Sequence, residues 1–453
     1  MIIEVLSNLD LITKYVYIFA GAAVLIMLVI KFVHVLKPSN AKALKLKAKK
    51  KAAGVVFGKK GFKLAVSPEH EEGHIVVFGG TGLGKTTGLL IPTLNHWRAG
   101  TAFVIDIAGD IAKNADIPNK LIYDPENSDS IPYNIFYEID MAENVEDKNE
   151  LLAKLAYLLM PDTPKSSDAG EYYNDEGRNI LTAALIYYYH AGMDFVEICE
   201  TINKYSWHEL LNDIDDPDNP AAFKYVSGFM DINEKTAASC KQETNKAIDL
   251  FVTKKPRKTI RRPVNGEKCF SPDQLEKNSV FVVVPARKLD IYGPLLRIVT
   301  AQSLDYFYSR PPGSKNTILF CLDEFAAFGK MDISNALKQL RKQHIRIMVL
   351  TQSLADIDTI YGKSERAAML NNFSYKVVLG CEDAETQEYF SKTIGDNITT
   401  KRTVSEGENG KTYTTSEHWE RVYKPHELGF LDNNLIVVTR GGHMKLKKNF
   451  AHK

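Results

Sequence analysis

Residues 74–94 constrain the fold more than any other stretch of this 453-residue chain; they read HIVVFGGTGLGKTTGLLIPTL. The apolar run 74–78 reads as a short buried parallel strand. Gly79 to Thr86 then match the spacing G-x-x-x-x-G-K-S/T, and Leu89, Leu90 and Leu94 share one face of a following helix. The residue types follow from anion chemistry. Glycines let successive backbone N–H groups point into one concavity around phosphates, and a helix N-terminus adds its dipole. Lys85 brings a point charge to the β and γ oxygens, and the Thr86 hydroxyl suits Mg2+. The expected cradle is Gly79, Gly80, Thr81, Gly82, Leu83, Gly84, Lys85, Thr86 and Thr87, with ATP and Mg2+ as ligands.

The other half of such a site lies far along the chain. Residues 317–324, TILFCLDE, read as a buried strand ending in two acids. Asp323 is expected to hold Mg2+, and Glu324 to polarise an attacking water as general base. From Lys85 to Asp323 is 238 residues, more than a minimal P-loop sheet needs. Residues 146–192 are helical in pattern and 193–250 contain few strand-like runs, which places an inserted all-α domain at 181–250. The nucleotide-binding domain then occupies 72–180 and 251–453. Its further strands are TAFVID (101–106), VFVVVPA (280–286), IRIMVLT (345–351), YKVVLGC (375–381) and, last, LIVVTR (435–440). Asp106 either faces the site or opens a turn with Gly109. Gln352 ends its strand, where a polar side chain senses a γ-phosphate or holds water. Arg341 and Arg346 flank a helix-to-strand turn; in a ring ATPase one arginine reaches the neighbour's γ-phosphate. Residues 400–419 read as an edge hairpin, and the terminal KLKKNFAHK as a solvated basic tail.

Charge is segregated along the chain. The formal sum is +1, yet residues 31–63 hold eleven Lys and no acid, and residues 64–453 carry a net charge of −9. Residues 15–30, YVYIFAGAAVLIMLVI, are uncharged, and the apolar run continues to Leu36. About 20 apolar residues span a bilayer as a helix. A cleaved signal peptide places its positive charge before the apolar core, and here it comes after. The expectation is a single-pass anchor at 1–36, a basic juxtamembrane linker at 37–71, and a cytoplasmic C-terminal part at the inner membrane. Residues 254–262, KKPRKTIRR, hold six cations and no acid. They are either a solubilising loop or a contact for DNA phosphates.

Together these stretches resemble the coupling ATPases of type IV secretion and conjugation, the TraG/TraD family. The likeness covers about 72–450 and rests on FGGTGLGKTTG, VIDIAGD, DPENSDSIPYNIF, CLDEFAAFGKM, LRKQHIRIMVLTQSLADIDTIYG and NNFSYKVVLGCEDAETQEYFSKTIG. The resemblance implies a RecA-like P-loop NTPase: an α/β fold with a mostly parallel sheet, an inserted all-α domain and an N-terminal membrane helix. It also implies a homo-hexamer at the inner membrane that passes relaxase-bound single-stranded DNA, or protein effectors, to type IV channel components. On that pattern Lys85, Thr86, Asp323 and Glu324 form the ATPase set, Gln352 falls at the sensor glutamine and Arg341 at the finger. Against the family pattern the expectation is one span where many members have two and no long acidic tail, and Ala108 stands where a lysine or asparagine is frequent. Two other readings compete: a DNA translocase of the FtsK/HerA group, and a docking receptor that uses ATP mainly for assembly.

Overall fold

Short runs of β-branched and aliphatic residues bounded by turns become strands, and those buried on both faces pair in parallel. The computed structural model describes residues 44–67, 73–107, 109–162, 168–229, 232–253, 255–311, 313–407 and 410–451. The strands are β1 (Lys45–Lys47), β2 (Val56–Lys60), β3 (Lys63–Val66), β4 (His74–Phe78), β5 (Ala102–Ile107), β6 (Lys120–Tyr123) and β7 (Ser279–Val284). After them come β8 (Ile318–Leu322), β9 (Ile345–Thr351), β10 (Phe373–Val378), β11 (Asp396–Gly407), β12 (Gly410–Arg421), β13 (Asn434–Thr439) and β14 (Gly442–Lys447). Among the described residues, twelve of them form one sheet in the order β1-β3-β2-β14-β13-β10-β4-β9-β8-β5-β7-β6. From β10 to β6 all neighbours are parallel; from β13 to β1 all are antiparallel.

Period-2 alternation sorts the strand residues into two cores. On one face Val76, Phe78, Phe103, Ile105, Phe320, Leu322, Ile347 and Val349 join the cluster that includes Leu152, Leu155, Leu185 and Leu296 of the helices Val145–Leu159, Asp168–His190 and Leu289–Tyr306. On the other, Ile75, Val77, Leu319, Cys321, Met348 and Leu350 pack with Leu89, Leu90, Leu94 and Trp97 after the glycine loop. Register brings the strand ends together. Phe78 lies level with Thr351, and Leu322 with Val349, so three adjacent parallel strands end side by side.

Several expectations need correction. The helical stretch between β6 and β7 runs from Tyr137 to Ile248 and beyond, so a boundary at 181 cuts through the helix Asp168–His190. That helix opens with a polar, largely exposed half and closes with a buried one, and the composition change inside it reads falsely as a border. Its apolar half shares a core with the sheet. The basic linker is, from Lys45 to Val66, three strands of the main sheet. Val55, Phe57, Leu64 and Ala65 are buried there, while Lys45, at the sheet edge, faces solvent, as suits a strand that must not recruit another. LIVVTR is not the last strand, because β14 pairs with β13 after it. The proposed anchor lies outside the described residues; among those described, no helix is long and apolar enough to cross a membrane.

Candidate active site

The glycine loop leaves β4 pinned between its neighbours. Gly79 N donates to Thr351 O at the end of β9 (3.2 Å), and Gly80 N to Gly380 O beyond β10 (3.3 Å). Gly82 and Gly84 take φ of +75° and +89°, a left-handed region that only glycine enters without strain. The chain then winds through one π turn, Thr86–Leu90, into the helix Ile91–His96. Single π turns of this kind are rare and concentrate at functional sites.

Lys85 is buried at 7% exposure, and its Nζ donates to Gly79 O at 2.8 Å. The same ammonium stands 3.6 Å from Glu324 Oε1. Glu324 Oε2 in turn accepts from Gln352 Nε2 at 3.3 Å. Lys85, Glu324 and Gln352 therefore form a continuous chain of contacts at the carboxyl ends of β4, β8 and β9. That edge is where open α/β sheets bind ligands. Glu324 itself adopts φ +48°, ψ +46°, a conformation uncommon for a non-glycine residue that aims its carboxylate across the strand ends.

Asp323 lies deeper. Its Oδ1 accepts from Glu324 N at 3.1 Å. Burial first, then the Glu324 carboxylate, push its pKa up to about 6 against the pull of Lys85. Negative charge crowded into a buried place is relieved by a divalent cation. A carboxylate and the nearby loop's Thr86 hydroxyl are the hard oxygen donors that Mg2+ prefers.

Known proteins similar to this chain agree on its family. The family model described as "Type IV secretory system Conjugative DNA transfer" matches residues 36–450. The chain belongs to this family. Among curated relatives, the conjugal transfer protein TraG of Agrobacterium fabrum is 23% identical over 404 residues, covering 83% of this chain and 59% of the relative. Protein VirD4 of the same organism is 28% identical over 178 residues, 38% of this chain and 27% of the relative. The chain thus spans at most about three-fifths of the length of these relatives. The conjugative coupling protein TrwB, solved unbound, superposes with a TM-score of 0.68 at 19% identity over 85% of this chain and 87% of its own. TrwB was also solved with the ATP analogue ADPNP and with ADP and Mg2+, with TM-scores of 0.67 and 0.66. The fold is shared.

In this family member the structure separates the two candidate arginines. Arg346 is 1% exposed. Its Nε donates to Gly73 O (3.1 Å) and its Nη1 to Ser67 Oγ (3.0 Å), with the guanidinium over the Tyr375 ring. It cannot reach a neighbouring molecule. Arg341 is exposed on the 3-10 turn Leu340–Gln343 that precedes β9. Asp106 opens a turn: its carboxylate accepts from Ile111 N (3.1 Å) and Ala112 N (2.7 Å) and caps the helix Asp110–Asn114. Four cations of 254–262 are engaged by acids from elsewhere in the chain. Lys255 pairs with Glu126, Arg257 with Glu200, Arg261 with Glu267 and Arg262 with Asp140.

Two contributors escaped the reading of the sequence. Asp356 Oδ2 accepts from Gln352 N (3.2 Å), Ser353 N (2.9 Å) and Thr351 Oγ1 (3.3 Å), and so holds the turn that presents Gln352. The spacing Ser353-x-x-Asp356, a capping box, was the signal available. The terminal segment is the second. It is not solvated throughout: Lys448 and Asn449 are buried, and Ala451 N donates to Thr87 O at 2.9 Å.

Proposed function

We propose that this chain is the ATPase of a type IV coupling protein, which hydrolyses ATP with Mg2+ to move DNA, free or relaxase-bound, or protein effectors toward a secretion channel. The observation that carries the proposal is the Lys85–Glu324–Gln352 chain of contacts at three adjacent strand ends. The nucleotide complexes of TrwB support ATP and Mg2+ as the ligands. The backbone N–H groups of 79–87 and Lys85 hold the phosphates. Thr86 and Asp323 hold Mg2+, which, when bound, neutralises developing charge on the phosphate oxygens. Glu324 takes a proton from the attacking water, and Gln352, already bonded to Glu324, orients that water.

Arg341 supplies the argument for a ring. It lies before β9 and Gln352 after it, and seven residues of strand separate the two ends by roughly 20 Å. An arginine there serves the phosphate of a neighbouring copy, not its own, which suits a homo-hexamer. The apolar run 15–30 with its Lys-rich flank supports a single-pass inner-membrane anchor with the ATPase in the cytoplasm.

The test is ATP turnover by the full-length chain with and without single-stranded DNA. Turnover stimulated by DNA and lost in Lys85→Ala and Glu324→Gln is the expected result, with losses of about 10²-fold or more. Substrate transfer at the normal frequency by Glu324→Gln would reject the motor and favour a docking receptor.

A further inference from the structure

The segment after β14 folds onto the phosphate loop. Phe450 rests against two glycines one helical turn apart. A Cβ on Gly84 would stand 3.0 Å from Phe450 Cε1, and one on Gly88 3.6 Å from the same atom. The bond from Ala451 N to Thr87 O fastens the segment to the same turn, and buried Lys448 abuts Gly88. Phe450 itself is only partly buried.

Sheet order tells which end of a nucleotide this ring would meet. The groups that act on phosphate, Glu324 and Gln352, sit on β8 and β9, to one side of β4. Strands β10, β13 and β14 lie on the other side, and residues 448–451 continue β14. A nucleotide held by the loop with its last phosphate toward Glu324 therefore extends its sugar and base away from β8, toward the β14 side. Phe450 stands there with an aromatic face.

We infer that Phe450, held by the strap Lys448–Ala451, is the platform on which the purine ring of the bound nucleotide stacks. The inference rests on the nucleotide reading of the loop. A flat apolar ring recognises the π-face of a base and discriminates little between bases. The platform therefore strengthens the binding of purine nucleotides as a class.

The experiment compares ATP with inorganic tripolyphosphate, which offers the same phosphate chain without sugar or base, in equilibrium binding to the full-length protein with Mg2+. Phe450→Ala should weaken ATP about tenfold and leave tripolyphosphate within about twofold. Phe450→Leu, which keeps bulk and loses the π-face, should behave like Phe450→Ala, and Phe450→Tyr should bind ATP as the parent does. Unchanged ATP affinity in Phe450→Ala overturns the inference. So does an equal loss for both ligands, which would make the ring a prop for the loop. Lys85→Ala separates the two levels: it should weaken both ligands, and its failure to do so would overturn the nucleotide reading underneath.

Discussion

The two ends of the same three strands hold similar inventories of polar groups and use them in opposite ways. At the amino ends of β4 and β9, His74 and Arg346 are each 1% exposed, and Ser67 is buried beside them. Their hydrogen bonds are direct and close, including Ile347 N to His74 Nδ1 at 3.1 Å. At the carboxyl ends, Lys85 stands 3.6 Å from a Glu324 that is 32% exposed, and Gln352 reaches that carboxylate at 3.3 Å from an exposed position. The amino end is a closed knot of protein contacts. The carboxyl end is a looser set of charges that can exchange partners with a ligand. Polar side chains in a sheet are thus a poor guide to function until their exposure and bond lengths are known.

Arg341 is the exception that tests the contrast most severely, because it is an exposed cation at the closed end. If it completes a neighbour's site, Arg341→Ala should lower turnover about 10³-fold while nucleotide affinity stays nearly intact. Turnover per molecule should also fall on dilution of the parent protein. Full activity in Arg341→Ala would leave the amino end purely structural.

Arg346→Ala should do the reverse. It strips donors from Gly73 O and Ser67 Oγ and leaves a cavity under Tyr375. A loss of about 3 kcal/mol in unfolding free energy is expected, read as a lowered thermal midpoint, with nucleotide binding retained below that temperature. Loss of binding without loss of stability would break the division between the two ends.

The knot should also make stability depend on acid. Burial, then the charge of Arg346, holds the His74 pKa down to about 3. Between that value and the ordinary 6.5 the unfolded chain carries a proton that the folded chain refuses. Stability is therefore lost as pH falls below about 6.5, by ~2 kcal/mol at about pH 5. Thermal midpoints measured from about pH 8 to about pH 5 should show it. His74→Asn keeps an acceptor for Ile347 N without the titration, so its profile should be flatter; equal acid sensitivity in the variant would remove His74 as the cause.

Much of the carboxyl end was legible in the sequence because it is built from contiguous motifs. GGTGLGKTT specifies its own backbone, and LDE and the strand ending in Gln352 announce themselves through buried runs that stop at a polar residue. The amino end was not legible. Arg346 reads as a surface residue at the head of a strand, and its burial depends on Ser67 and Gly73, more than 270 residues earlier. The partners of the cations of 254–262 were hidden for the same reason, since local counting misses Glu126, Asp140 and Glu200. Lysine density hid β1 to β3, where alternate apolar residues carry the burial and the lysines only decorate it. Phe450 was invisible because the small residues that receive it, Gly84 and Gly88, already had a reading as part of the phosphate loop.

Gln352 gives the smallest and finest test. Its side chain is exposed and its bond to Glu324 is long, so it adds little to the fold; its backbone N–H is what Asp356 holds. Gln352→Ala therefore keeps the turn and removes only the amide that steadies Glu324 and water. Turnover should fall about tenfold, equivalent to ~1.4 kcal/mol in the barrier, with the thermal midpoint unchanged. Asp356→Ala attacks the same glutamine through its backbone: Gln352 N, Ser353 N and the Thr351 hydroxyl lose their shared acceptor. That variant should lose turnover and stability together. If Gln352→Ala behaved like Asp356→Ala, the glutamine would be part of the scaffold, and the loose end of the strands would be smaller than its geometry implies.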